Sequence, residues 1–198
     1  MIRILPTIFI PLWLLSSCST KIVSNNYYQQ NKTRVDDIES RYEKLNAARP
    51  FAIAFTDKKL NILSIEMISD TLTRIYEFNA NEKRLSDSLA KYNYDAAGID
   101  ILIKKMQQTK VTWINSVDYY VNDQPQQLIY LSIKPVTIRY LFSPPKYIAL
   151  GYFRTPQSFD EKGRLLDSRR TKRIRKIKGQ EFYRITDRIC YTITEKYR

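Results

Sequence analysis

Two rhythms of apolar and polar residues divide this chain. After an apolar run from Ile4 to Leu15 and a polar stretch over 19–32, apolar residues recur at Val35, Ile38, Tyr42 and Leu45. That three- and four-residue spacing is one face of a helix. Thr33 stands three residues before Asp36, an arrangement like a capping box with Asp in place of Glu. Asp36 and Asp37 suit the positive end of a helix and Arg49 the negative end. Asp37 and Arg41 are an i,i+4 pair, and Pro50 stops the run. The spacing predicts a helix over 34–48. Phe51 to Phe55 and Leu60 to Ile68 read as strands about an Asp57-Lys58-Lys59 turn, while 72–78 fits either a third strand or the start of the next helix. Asn79 with Glu82 predicts a helix start. Leu85, Leu89 and Tyr92 then form one stripe, and Ile99, Leu102, Ile103 and Met106 a second, with a break near Tyr94-Asp95.

From Val111 the period shortens to two. Strands are predicted over 111–121, 128–134, 136–143 and 147–153, rich in Ile, Val, Tyr and Thr, with closing strands over 169–178 and 181–194. Asn122 to Pro125, Pro144-Pro145, Asp160 to Gly163 and Lys178-Gly179 mark the turns between them. The expected fold is α+β: an antiparallel sheet with two or three helices packed on one face. One domain is expected over 33–198, with a helix-rich half (33–110) and a strand-rich basic half (111–198).

Composition sharpens this picture. A hydrophobic fraction of 43% is enough for a real core and argues against disorder. Histidine is absent, which removes the usual general base, the usual zinc ligand and every Ser-His or Cys-His pairing. Lysine and arginine number 33 against 20 acids, a formal charge of +13. The excess is concentrated late: residues 151–198 hold 14 basic and 6 acidic groups.

The N-terminus reads as an address. Met1-Ile2-Arg3 is a short basic start, and the apolar run after it is too short for the roughly 20-residue helix that crosses a bilayer. Small residues follow, as in a secretory signal. Leu15-Ser16-Ser17-Cys18 resembles the lipobox of bacterial lipoproteins: Leu, two small residues, then the cysteine that receives the lipid. The resemblance covers residues 1–18. It implies that 1–17 are removed as a signal peptide and that Cys18 is diacylated on sulfur and acylated on its new amine. Each buried CH₂ of acyl chain contributes ~0.8 kcal/mol, so two or three chains hold firmly where one does not. Ser19 stands where the sorting rule this resembles would place Asp for inner-membrane retention, and Ser19 to Val23 contain no acid. The resemblance therefore implies the outer membrane, periplasmic side. Residues 18–32 are expected as a flexible, lipidated tether reaching up to about 50 Å.

The remaining chemistry is sparse. Ser88-Leu89-Ala90-Lys91 matches S-x-x-K, but the other elements of such a serine enzyme are missing, so a solvated helix surface explains it. Asp36-Asp37-Glu39 fits a helix first turn better than a metal site or an acid–base pair. The sequence calls for no metal, no cofactor and no enzymatic activity. Cys190, between Ile189 and Tyr191, reads as a buried strand residue. Tyr119, Tyr120, Tyr130, Tyr140, Tyr147 and Tyr152 fit packed strand positions with the phenol near the surface.

The one pronounced binding signal is 169–178, where Arg169, Arg170, Lys172, Arg173, Arg175, Lys176 and Lys178 make seven of ten residues basic. As a strand it would be basic on both faces, so it belongs on an edge or in an extended hairpin. There the charge either blocks edge-to-edge association or binds an anionic partner. The expected role is an accessory or structural component of an envelope protein complex, contacting an acidic partner through this hairpin. A binding module for anionic glycan or lipid is the alternative. Nucleic acid is not expected as a partner in that compartment.

Overall fold

The computed structural model describes residues 16–69, 72–121, 124–138, 146–166 and 181–194. Three helices, α1 (Ser16–Ala48), α2 (Lys83–Lys91) and α3 (Ala96–Thr109), accompany eight strands. These are β1 (Phe51–Phe55), β2 (Ile62–Ile68), β3 (Thr73–Asn79), β4 (Val111–Val121), β5 (Gln124–Ile138), β6 (Lys146–Phe153), β7 (Phe182–Arg184) and β8 (Ile189–Thr194). The strands form one sheet in the order β3-β2-β1-β4-β5-β6-β8-β7. Every neighbouring pair is antiparallel. The fold is α+β, as the pattern predicts.

The helices cover one face of the sheet. Period two sorts the strand residues: Phe51, Ile53 and Phe55 of β1, Leu63, Ile65 and Met67 of β2, and Ile129, Leu131 and Ile133 of β5 all join Tyr28, Val35, Ile38 and Tyr42 of α1 in the main core. Leu85 and Leu89 of α2 and Ile99, Leu102, Ile103 and Met106 of α3 complete it. Tyr42 donates to the Phe51 carbonyl at 2.5 Å, and Asn46 accepts from the Phe51 amide at 3.0 Å. These two bonds tie the end of α1 to the start of β1. Across the helices, Lys105 of α3 meets Asp37 of α1 at 2.7 Å. The bond from Lys105, helped by Arg41, holds the Asp37 carboxyl below its ordinary range.

The opposite face carries a second, smaller core that the pattern did not foretell. Leu128, Tyr130, Ala149, Phe153, Phe182 and Cys190 are buried there, with Trp113, Phe159 and Leu165 packed against them. Its cover is the chain after β6, folded back by the Asp160–Gly163 turn. Gly163 takes φ +75, and its amide donates to the Asp160 carbonyl at 2.9 Å. Cys190 is fully buried, as expected of a strand cysteine.

Several boundaries differ from expectation. The largest difference lies at the start: residues 19–32 are the first half of α1 rather than a tether. Tyr28 is 1% exposed and Ser24 likewise. Positions 24, 28, 31, 35, 38, 42 and 45 all face inward at a four-three spacing, so one helical stripe runs through both halves. The segment 72–78 is a strand. The second helix starts at Lys83 with Glu82 as its cap residue, and the Asn79 amide bonds only the Glu82 carboxylate, at 3.3 Å. The predicted break is real, because Asp95 caps α3 by accepting from the Gly98 amide at 2.9 Å. The strand expected over 128–134 and the start of the one expected over 136–143 join in β5, whose pairing with β6 shifts between Ile133 and Thr137; residues 139–143 lie outside the described residues. The strand expected over 181–194 is two, β7 and β8.

Candidate functional site

The residues singled out in the sequence fall partly inside and partly outside the described residues. The Cys18 backbone lies in the first turn of α1. Arg169, Arg170, Lys172, Arg173, Arg175, Lys176 and Lys178 lie outside the described residues. The two ends of the loop that holds them are described, and they are joined. The Leu165 amide donates to the Phe182 carbonyl, and the Arg184 amide to the Gly163 carbonyl, each at 2.8 Å. Arg164 forms an antiparallel bridge with Tyr183. One arm of this stem is β7, at the edge of the sheet, so the described ends at 166 and 181 lie close together. Two ion pairs strengthen it: Arg164 with Asp160 at 2.8 Å and Arg184 with Asp187 at 2.5 Å. Among the predicted tyrosines, Tyr130 and Tyr152 are buried and Tyr147 is half-buried. The side chains of Tyr119 and Tyr120, and all of Tyr140, lie outside the described residues.

A shallow cleft, open to solvent, runs between α1 and strands β4 to β6. Glu39, Glu43 and Asn46 line its helix side, and Ser116, Gln127, Ile129, Tyr152 and Arg154 its sheet side. One ion pair crosses it. Arg154 pairs with Glu43 at 3.4 Å. Just beyond it, the Tyr152 and Tyr28 hydroxyls both donate to Asp36, at 3.2 and 3.3 Å, and Lys32 sits 3.4 Å from the same carboxylate. Burial, then the negative charge of Asp36, raises both phenols far above their ordinary range. They remain protonated donors at every physiological pH. Glu39 is raised as well, by burial first and by Glu43 and Asp36 after it, with Arg188 opposing. These contacts make the cleft a polar seam that pins α1 to the sheet. Among the described residues, no group of three or more His, Cys, Asp or Glu side chains stands ready to hold a metal.

Ser88 and Lys91 lie on α2, and the Lys91 ammonium sits 5.9 Å from the Tyr92 ring centroid. Tyr92 belongs to a cationic, aromatic surface that the sequence reading missed. Arg74 Nη1 donates to the Tyr92 hydroxyl at 2.6 Å, and that hydroxyl also shares a 2.8 Å hydrogen bond with Tyr76. The bond with Tyr76, then the one from Arg74, draws the Tyr92 phenol below its ordinary range. Arg84 lies over the Phe78 ring and Arg49 over Tyr94. Alternation of Arg74, Tyr76 and Phe78 was the available signal, hidden because 72–78 fitted strand and helix equally.

No protein-family model, no curated protein and no solved structure matches this chain.

Proposed function

We propose that the protein is a lipid-anchored component of the outer membrane, on its periplasmic side. It acts without catalysis as an accessory or structural part of an envelope protein complex. In this reading Cys18 carries the lipid, and the partner presents acidic groups to Arg169, Arg170, Lys172, Arg173, Arg175, Lys176 and Lys178. The observation that supports the partner contact most is the closed stem of 163–165 with 182–184. It joins the two chain segments that flank the run holding these seven basic residues, at the edge of the sheet. The lipobox resemblance supports the anchor.

Native co-purification of the tagged protein from detergent-solubilised membranes tests the proposal. A stoichiometric partner is expected, and changing the seven basic residues to Glu should release it. Its retention by the charge-reversed protein would remove this run from the interface. A solitary protein that binds anionic envelope polymer, and loses that binding on charge reversal, would favour the glycan- or lipid-binding alternative.

A further inference from the structure

The course of α1 bears on how the domain meets its membrane. A flexible tether would leave the domain tens of ångströms from the bilayer, free to tumble. Instead Cys18 stands in the first turn of a helix whose inward stripe is already buried at Ser24, six residues on. At 1.5 Å per helical residue that is roughly 9 Å. A lipid on Cys18 therefore brings one particular end of the domain against the bilayer.

That end has a defined composition. Ile22 and Val23 are 54% and 43% exposed, two of the few large apolar side chains on the described surface. Tyr27 leans back toward the helix start, and its hydroxyl donates to the Thr109 carbonyl at 2.8 Å. The end of α3 thereby packs against α1 at Tyr27, one helical turn from Val23. Lys110, the next residue, is exposed and caps α3 in the left-handed conformation. The turn between β1 and β2 joins the same end, because the Gln107 amide donates to the Leu60 carbonyl at 2.6 Å. Lys58 and Lys59 are exposed on that turn. Its one acid, Asp57, is occupied in accepting the amides of Lys59, Asn61 and Ile62. Two apolar side chains beside three lysines suit a headgroup boundary with anionic lipid.

We infer that this corner — Ile22 and Val23 with Lys58, Lys59 and Lys110 — is a membrane-docking surface for anionic phospholipid, holding the domain in one orientation directly on the bilayer. The inference rests on the proposed lipid anchor. The test uses the lipidated protein reconstituted into vesicles of phosphatidylethanolamine with phosphatidylglycerol. A fluorophore is placed by Val23→Cys, by Lys110→Cys or, at the far end of α1, by Arg49→Cys, and is quenched by spin-labelled lipid. Strong quenching at 23 and 110 and little at 49 is expected. Each basic residue near an anionic surface favours docking by about fivefold. Lys58→Glu with Lys59→Glu should therefore lower the quenching at 110, as should purely zwitterionic vesicles. Protein that floats with the vesicles but is quenched equally at all three sites would overturn the docked corner and leave the anchor standing. Protein that fails to float would overturn the anchor and the docking together.

Discussion

Tyr28 is where the two accounts of residues 19–32 part. If the segment were a tether, truncating this side chain would change stability by no more than about 0.5 kcal/mol, the range of an ordinary surface substitution. In the structure Tyr28 is 1% exposed, lies in the main core and donates to Asp36. Large aromatic residues cut back to Ala in a core lose about 3–5 kcal/mol, from lost transfer energy and from the cavity left behind. Tyr28→Ala is expected to fall in that range. For a domain of this size each kcal/mol moves the melting temperature by about 2–4 °C, so the midpoint should drop by about 6–20 °C. Tyr28→Phe keeps the ring and loses one hydrogen bond, while Asp36 retains Tyr152 and Lys32; about 0.5–1.5 kcal/mol is expected. Asn25→Ala, at an exposed position on the same helix, is the control. Urea denaturation followed by circular dichroism reads all three. If Tyr28→Ala unfolds at the same urea concentration as Asn25→Ala, α1 does not extend through this segment in solution.

Two further substitutions probe the packing around α1. A Cβ on Gly98 would lie 2.5 Å from Asp95 Oδ2 and 2.8 Å from Leu45 Cδ2, so Gly98→Ala should break the α3 cap and push on α1. Loss of the cap costs about 1 kcal/mol and overpacking about 1–3 kcal/mol, which outweighs the ~1 kcal/mol that Ala otherwise gains in a helix; a gain in thermal stability would refute the close approach. Glu39 gives a pH signature. Its raised folded-state pKa means that the proton it favours is bound below the unfolded pKa and lost as pH rises through the folded one, so at neutral pH its charge is a cost. Glu39→Gln relieves an i,i+4 repulsion with Glu43 and should stabilise by about 0.2–0.5 kcal/mol at pH 7. The gain should fade as the carboxylates are protonated, and a gain independent of pH would point to packing instead.

The sheet was legible because its chemistry is local. Alternating apolar residues in Phe51 to Phe55, the Asp160 to Gly163 turn and the break near Tyr94-Asp95 each carry their own signal. The start of α1 was not, because its inward stripe passes through Ser24 and Asn31, which an apolar pattern skips, and through Tyr28, whose neighbours Asn25, Asn26, Gln29 and Gln30 suggest coil. Part of what surrounds Tyr28 lies far along the chain, because Tyr152 shares its Asp36 acceptor. The split between β7 and β8 was hidden for another reason: Ile185 to Arg188 contain neither Gly nor Pro. The turn is made by the Thr186 hydroxyl accepting from the Arg188 and Ile189 amides at 3.3 and 3.0 Å. The second core needed Phe159, Leu165 and Phe182 to return across the sheet, a long-range event with no local mark. The candidate chemistry was read unevenly. The basic run 169–178 stands out in any composition scan, whereas the Arg74–Tyr76–Tyr92 cluster draws on two elements and exists only once they are packed.

The most direct test of the account is mass spectrometry of the N-terminal peptide of the protein extracted from its native membranes. A lipid anchor at Cys18 predicts a chain that begins at Cys18 and carries acyl groups on it. A chain that retains residues 1–17, or begins elsewhere with Cys18 unmodified, would contradict the anchor and the membrane placement built on it.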